Sequence, residues 1–264
     1  MTRVAIGNNK GGSGKSATTV NLADALAARG HRVLVVDLDP QANASRRLGW
    51  AWDPNNPTPT LVEAVQAGTE GVAAQVITSI GWDLPHASRI ALAPSRFDLE
   101  NRVSEAGVVG ALGRLDRALD GVTDAYDYTL IDCPPSLGHL TQLALAAADV
   151  ALATVEPERD GLEGAVRFRD FIDANKQHLA NPELRLVGAI PCRVRAGLKS
   201  HDHHMDQIPR LFPDAVWEPA VPERTVIKDA ADEGLPLAAM GSRATEVIAL
   251  YAKLADRLTT EIPQ

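Results

Sequence analysis

Aromatic residues are scarce in this 264-residue chain, at 4%, which argues against a surface that stacks on unpaired bases. Cysteine is scarcer still. Cys133 and Cys192 are the only two, too few for a disulfide framework or a cysteine-rich metal centre. They are expected to be small buried hydrophobes in a reducing compartment. No apolar run reaches the roughly 18 residues of a membrane-spanning helix. Residues 1–6 lead directly into a glycine-rich loop, leaving no room for a secretion signal, so the expected location is the cytoplasm. Positive charge is not in excess either: the formal net charge is −8. Indiscriminate nucleic-acid binding usually leaves a basic footprint, so any such contact here must be a local patch or need assembly.

What is present is ordinary core material, with 45% hydrophobic and 23% charged residues. Residues 4–7 are a short apolar run before a glycine-rich turn and predict a buried strand. Residues 14–29 then carry Val20, Ala23, Leu26 and Ala27 at helical spacing, with Gly30 where a left-handed helix end belongs. Residues 32–36 are a second apolar strand. Strand, helix and strand make a βαβ unit with parallel pairing. The pattern recurs at residues 128–131, a helix over 140–148, a strand over 150–155, a helix over 162–178 and a strand over 186–190. The expected fold is α/β: one doubly wound, mostly parallel sheet with helices on both faces, spanning residues 1–264 as a single domain. No linker, internal repeat or low-complexity tract divides the chain. Residues 52–59, rich in proline and asparagine, predict a surface loop. A last helix over 243–258 places Val247, Tyr251, Leu254 and Leu258 on one stripe. Its other face mixes Glu246, Lys253, Asp256 and Arg257, whereas a membrane-surface helix needs a mainly basic one.

Residues 9–16 read Asn9-Lys10-Gly11-Gly12-Ser13-Gly14-Lys15-Ser16. The phosphate-loop pattern is G-x-x-x-x-G-K-[ST]. Gly14, Lys15 and Ser16 fit it, and Asn9 stands in place of the first glycine. Glycines let backbone N–H groups turn in around phosphate oxygens, and the following helix aims its positive end at the anion. Lys15 should reach the β- and γ-phosphates and Ser16 should ligate Mg²⁺. Lys10 is an additional lysine at the outer edge of the loop. If two copies met face to face, each Lys10 could reach its partner's phosphates, with ATP as glue between them. K-G-G-x-G-K-[ST] after a short strand resembles the deviant Walker A motif of the ParA/MinD ATPases, a class of P-loop NTPase. In that family the first lysine is the signature lysine of an ATP-sandwich dimer. The resemblance assigns that role to Lys10 and a nucleotide cradle to Lys10, Gly11, Gly12, Ser13, Gly14, Lys15, Ser16 and Ala17.

The second strand ends in Val36-Asp37-Leu38-Asp39-Pro40-Gln41, and carboxylates just past a strand's C-terminal end lie where this sheet type binds ligands. The run is similar to the ParA version of switch I, which makes Asp39 the residue that positions or activates the attacking water. With Lys10 and Lys15 it completes the expected catalytic set. Asp37 is expected to support the Mg²⁺ shell or the phosphate loop. Asp132-Cys133-Pro134-Pro135-Ser136-Leu137-Gly138 resembles switch II, with Asp132 in a Walker-B role toward Mg²⁺ and Cys133 as a motif residue. Leu92-Ala93-Pro94-Ser95, before a helix, resembles the family's L-x-P-[SA] segment. Residues 155–164 resemble its P-x-x-x-x-L-E-G region. Val221-Pro222-Glu223-Arg224 stands where ParA proteins often have I-P-R-N near the adenine, so Pro222, Glu223 and Arg224 are assigned to the base. Glu223 here replaces arginine, and Val226 replaces another basic residue. The resemblance covers most of the chain and is weakest over 49–90. The chain begins at the phosphate-loop strand, like the short family members without an N-terminal helix-turn-helix.

The resemblance implies ATP and Mg²⁺ as cofactors and hydrolysis to ADP and phosphate. It implies an ATP-dependent homodimer on nonspecific double-stranded DNA, association with the nucleoid, a ParB-like centromere-binding partner and no membrane. Residues 185–243 hold eight Lys/Arg and eight Asp/Glu, so that region is neutral while the rest carries the net charge. Residues 193–199 form an expected loop with three positive charges, which suffices for local phosphate contact. Arg193, Arg195, Lys199, Arg224 and Lys228 are the candidate DNA contacts. His201-Asp202-His203-His204 is read as an exposed helix start with Asp202 near the cap, because adjacent residues seldom converge on a metal. A MinD-like regulator would want a basic amphipathic tail, which residues 259–264 are not. An electron-donating relative would need a cluster-ligating cysteine pair, and a ligase would need a substrate pocket.

Overall fold

A computed structural model describes residues 1–262. Strand β1 (Thr2–Gly7) leads into helix α1 (Lys15–Ala28) and strand β2 (Val33–Asp37). Both strands are buried at every position, as expected of parallel strands covered on two faces. Then come α2 (Asn43–Arg47), α3 (Leu61–Ala67), β3 (Thr78–Ser79), β4 (Ile90–Ala93) and α4 (Arg114–Leu119). The middle of the chain is β5 (Tyr128–Asp132), α5 (His139–Ala147), β6 (Val150–Val155), α6 (Arg159–Asn175) and β7 (Arg185–Val194). It closes with α7 (Lys199–Met205), α8 (Ile208–Leu211), β8 (Val221–Pro222), α9 (Thr225–Glu233) and α10 (Thr245–Glu261).

One eight-stranded sheet has the order β3-β4-β2-β5-β1-β6-β7-β8. Only the short β3 runs antiparallel to its neighbour. Side chains alternate across it. Val4, Ile6, Val33 and Val35 pack with Leu22 and Leu26 of α1 and Leu254 and Leu258 of α10. Ala5, Leu34 and Val36 face the opposite core, with residues of α3, α4, α5 and α6. A fully buried leucine of this kind contributes roughly 1.5–3 kcal/mol relative to exposure. β1 lies between β5 and β6, where the chain switches from one half of the sheet to the other. The C-terminal ends at that switch point open the crevice in which such sheets bind ligands.

The sheet, its parallel sense and the helices on both faces are as expected. The differences are local. The segment after Pro94 is a 3₁₀ stretch, Phe97–Gly107, not an α-helix. The stretch 49–90, where the family resemblance is weakest, contains α3, started by a capping box in which Thr60 accepts from Val62 and Glu63 accepts from the Thr60 amide. Residues 193–199 are not one loop: Arg193 and Val194 end β7, and Lys199 opens α7. The histidine run also differs from expectation. His201 is buried, and its Nδ1 accepts from the Arg195 amide at 3.1 Å, so it ties α7 to the end of β7. The α7 cap position is Leu198, with Asp202 inside the first turn. Both cysteines are buried and free. The apolar stripe of α10 is buried as its spacing predicted. Residues 263 and 264 of the tail fall outside the described residues.

Candidate nucleotide site

A cavity of about 390 Å³ lies beyond the C-terminal ends of β1, β5 and β7. Residues 11–18 line one side, Asp39, Gln41, Asn43 and Arg47 another, and residues 221–224 with Ile227, Lys228 and Tyr251 a third. The phosphate loop and the segment assigned to the base therefore share one cavity. The loop's shape needs glycine at Gly14, where φ is +96° and an added Cβ would sit 3.1 Å from that of Cys192. α1 starts at the next residue, so its unpaired amides and positive end face the cavity. Behind the loop, Asn8 Nδ2 donates to the carbonyls of Thr154 (2.6 Å) and Gly161 (3.1 Å). Gly164 lets α6 come close enough that a Cβ there would lie 2.3 Å from Asn8 Oδ1. The glycine of the L-E-G segment thus acts by permitting α6 to brace the phosphate loop.

The lysines occupy different places. Lys15 is buried, and its Nζ donates to the Lys10 carbonyl at 2.9 Å. Burial lowers its pKa, against the raising effect of Asp132 and Asp39. Lys10 turns away from its own loop. Its Nζ lies 2.7 Å from Glu156 Oε2 and 3.2 Å from Glu158 Oε2. Burial works against its charge, but those two carboxylates outweigh it and hold the pKa above the usual lysine value. Both glutamates follow the C-terminal end of β6. The strand-end rule that selected Asp37, Asp39 and Asp132 would have selected them too, had it been applied to that strand.

Asp37 and Asp132 face each other across the β2–β5 ladder and are both buried. Burial and the charge of Asp132 push Asp37 up to about 8, and burial, with a smaller push from Asp39, raises Asp132 to about 6. Asp37 Oδ2 accepts from the Ser45 amide and hydroxyl, both at 2.7 Å, and Oδ1 accepts from the Asp39 amide at 3.2 Å. Asp37 therefore holds the switch I turn and the start of α2. Of the two roles left open for it, neither is shown by these bonds. Asp132 Oδ1 accepts from the Thr19 hydroxyl at 3.2 Å, and the nearby Ser16 side chain works to lower the pKa of the same carboxylate. Its Oδ2 is buried without a hydrogen-bond partner. An orphaned carboxylate oxygen beside a serine hydroxyl fits a hydrated Mg²⁺, whose charge would neutralise it. Asp39 is 5% exposed, lines the cavity and accepts from the Gln41 amide at 2.9 Å. Burial raises its pKa, opposed by that amide and by Lys15.

The raised aspartates carry a prediction for the metal-free chain. A carboxyl whose folded pKa exceeds its unfolded value contributes stability fully present below the unfolded value. That contribution is lost as pH rises through the folded pKa. In EDTA the melting temperature should fall between pH 5 and pH 8. Asp132→Asn should shrink that fall by about 5 °C in thermal unfolding followed by circular dichroism. A variant whose melting temperature falls in parallel with the parent removes Asp132 as a source of the dependence.

The candidate DNA contacts are largely engaged within the chain. Arg193 leans into the cavity wall, donating to the Gly12 carbonyl at 2.8 Å and pairing with Glu156 and Glu223 at 3.1 Å each. Glu223 also binds Arg195 and, at 3.0 Å, Lys228. Arg195 foremost, then Lys228 and Arg193, depress its pKa to about 2. Arg224 pairs with Glu246 at 3.2 Å. Lys199 is exposed and makes no ion pair among the described residues. The structure thus brings Arg193, Arg224 and Lys228 to the nucleotide cavity, leaving Arg195 and Lys199 outside it.

The AAA domain family matches residues 1–186. The sporulation initiation inhibitor protein Soj of Bacillus subtilis is 32% identical over 242 residues, covering 89% of each chain. The chromosome partitioning protein ParA of Myxococcus xanthus is 34% identical over 237 residues, 89% of this chain and 80% of that one. Among solved structures, apo McdA from Cyanothece superposes with TM-score 0.82 at 25% identity, over 97% of this chain and 99% of the other. Cobyrinic acid a,c-diamide synthase from Mycobacterium smegmatis, with bound ADP and magnesium, gives 0.79 at 26% identity over 100% and 97%. ATP and Mg²⁺ are the cofactors consistent with this site. A deviant phosphate loop, aspartates at the strand ends and relatives spanning nearly the whole chain lead to one conclusion: the protein belongs to the ParA/Soj family of P-loop ATPases.

Proposed function

We propose that the chain is a DNA-segregation switch driven by ATP hydrolysis. ATP and Mg²⁺ build a face-to-face dimer, the dimer binds nonspecific double-stranded DNA, and a ParB-like centromere-binding partner stimulates hydrolysis and release. The observation that supports this most is the place of Lys10: a second lysine of the phosphate loop that does not line the cavity of its own chain and is held by Glu156 and Glu158. A lysine serving only its own site would point inward beside Lys15. The work of each residue follows. Gly11, Gly12, Ser13, Gly14 and Ala17 present the cradle, and Lys15 neutralises the transferred phosphate. Ser16 and Asp132 hold Mg²⁺, which supplies charge neutralisation when bound. Asp39 orients the attacking water and accepts its proton. Lys10 crosses to the second subunit. Pro222, Glu223 and Arg224 close over the base.

Paired cations fit weak DNA binding by a lone chain. Glu223 and Glu246 occupy Arg195, Lys228 and Arg224, so the free positive charge rests chiefly on Lys199. A dimer doubles whatever each subunit offers, and each phosphate neutralised adds about 0.9 to the salt slope. The outer face of α10 mixes acidic and basic residues. Among the described residues no helix is long and apolar enough to cross a membrane.

Phosphate release measured with sheared plasmid DNA, and separately with anionic lipid vesicles, tests the proposal. Slow basal release of phosphate, raised by DNA and indifferent to vesicles, is the expected result. Stimulation by vesicles and not by DNA would overturn it in favour of a MinD-like membrane role.

A further inference from the structure

Five basic side chains line the nucleotide cavity: Lys15, Arg47, Arg193, Arg224 and Lys228. Three already have carboxylate partners, Arg193 in Glu156 and Glu223, Lys228 in Glu223 and Arg224 in Glu246. Lys15 is the phosphate lysine. Arg47 is the one left over. It ends α2, is only partly exposed, and among the described residues has neither a carboxylate at ion-pairing distance nor a hydrogen-bond acceptor for its guanidinium. Asp132, Tyr251 and Asp232 act on it only through longer-range Coulomb attraction, and burial works against its charge. Its neighbour Arg46 is exposed and bonds Asn43 Oδ1 at 2.7 Å.

A half-buried guanidinium without an anion is costly, because the low-dielectric surroundings penalise its charge and no carboxylate offsets the penalty. The cost is removed when an anion enters the cavity beside it. Guanidinium is also the side chain best shaped to bind phosphate oxygens in pairs. We infer that Arg47 is a nucleotide-binding residue that grips the phosphate chain from the α2 side, opposite Lys15 and the loop amides. The inference rests on the cavity being the ATP site. It also links ligand to switch: α2 carries Ser45, whose amide and hydroxyl hold Asp37, and Asp37 in turn holds the Asp39 amide. A phosphate pulling on Arg47 pulls on the segment that presents Asp39.

Equilibrium binding of adenosine, ADP and ATP, by competition against a fluorescent ADP, should be compared for the parent, Arg47→Ala, Arg47→Lys and Arg46→Ala. Loss of a charge-assisted contact predicts ADP and ATP dissociation constants raised about ten- to hundredfold in Arg47→Ala. Arg47→Lys should lie in between, and Arg46→Ala should match the parent. Adenosine binding should not change, because it has no phosphate. The nucleotide-free melting temperature of Arg47→Ala should equal or exceed that of the parent, since an uncompensated charge is removed. Unchanged ADP affinity, an equal loss for adenosine, or a lower nucleotide-free melting temperature would each overturn the assignment. A parent chain that binds no adenine nucleotide would overturn the site reading itself, and Arg47's role with it.

Discussion

Lys10→Ala is expected to abolish ATP-dependent dimerisation while leaving ATP binding by the single chain within about threefold of the parent. The reasoning starts from where the ammonium sits. Lys10 and its two carboxylate partners, Glu156 and Glu158, do not line the cavity that Lys15 lines, so its loss removes no contact from its own phosphate site. The fold should tolerate the change as well. Glu156 is 5% exposed and would be an orphaned charge, but Arg193 stays 3.1 Å away on its other oxygen. In the proposed face-to-face dimer the two copies of Lys10 would make two charge-assisted contacts with phosphate. At roughly 1.5–3 kcal/mol each, they account for about 10²- to 10⁴-fold in the dimer constant. Sedimentation with ATP and Mg²⁺ would show the parent as a dimer and the variant as a monomer. A dimer that persisted in the variant would remove Lys10 from the interface.

Asp39→Ala is expected to keep ATP binding and to lower steady-state phosphate release by about 10²-fold or more, the usual range for a lost general base. Asp39 is fixed by the Gln41 amide at 2.9 Å and lines the same cavity as Lys15 and Ser16. Burial raises its pKa, which makes its carboxylate a better proton acceptor. Taking away its negative charge leaves Lys15 less compensated, so ATP affinity should hold or increase. With hydrolysis stopped, the ATP-bound dimer should accumulate. The pair of variants then gives opposite readouts, Lys10→Ala with no dimer and Asp39→Ala with a persistent one. Unchanged phosphate release in Asp39→Ala would remove that residue from the chemistry.

Local features of this site were legible in the sequence because they are written contiguously. The phosphate loop, the aspartates closing β2 and β5, and the helix following each are runs of a few residues whose spacing demands one backbone shape. Features that depend on residues distant in the chain were not. Lys10 and Glu156 are 146 positions apart, and nothing local predicts that they meet at 2.7 Å. Arg47 sits beside Arg46 in the sequence, yet only the first lines the nucleotide cavity. Only the packing of α2 under α9 decides which is which. His201 looked like part of a solvated helix start, and burial against β7 reversed that. The stretch 49–90 resembles the family least, and its anchor, Trp82 donating to the carbonyls of Arg47 and Gly234, joins positions too far apart to be read from the sequence. Glu223 was noticed as a departure from the family's arginine. Its binding of Arg195, Lys228 and Arg193 could be seen only in the fold.

In the proposed cycle ATP turns this acidic chain into a DNA-binding assembly. The most direct measurement is fluorescence anisotropy of labelled nonspecific double-stranded DNA with ATP and Mg²⁺, with ADP and Mg²⁺, and without nucleotide, at near-physiological salt. Binding is expected with ATP alone, weakening steeply as salt is raised. Equal binding in all three states, or none in any, would contradict it.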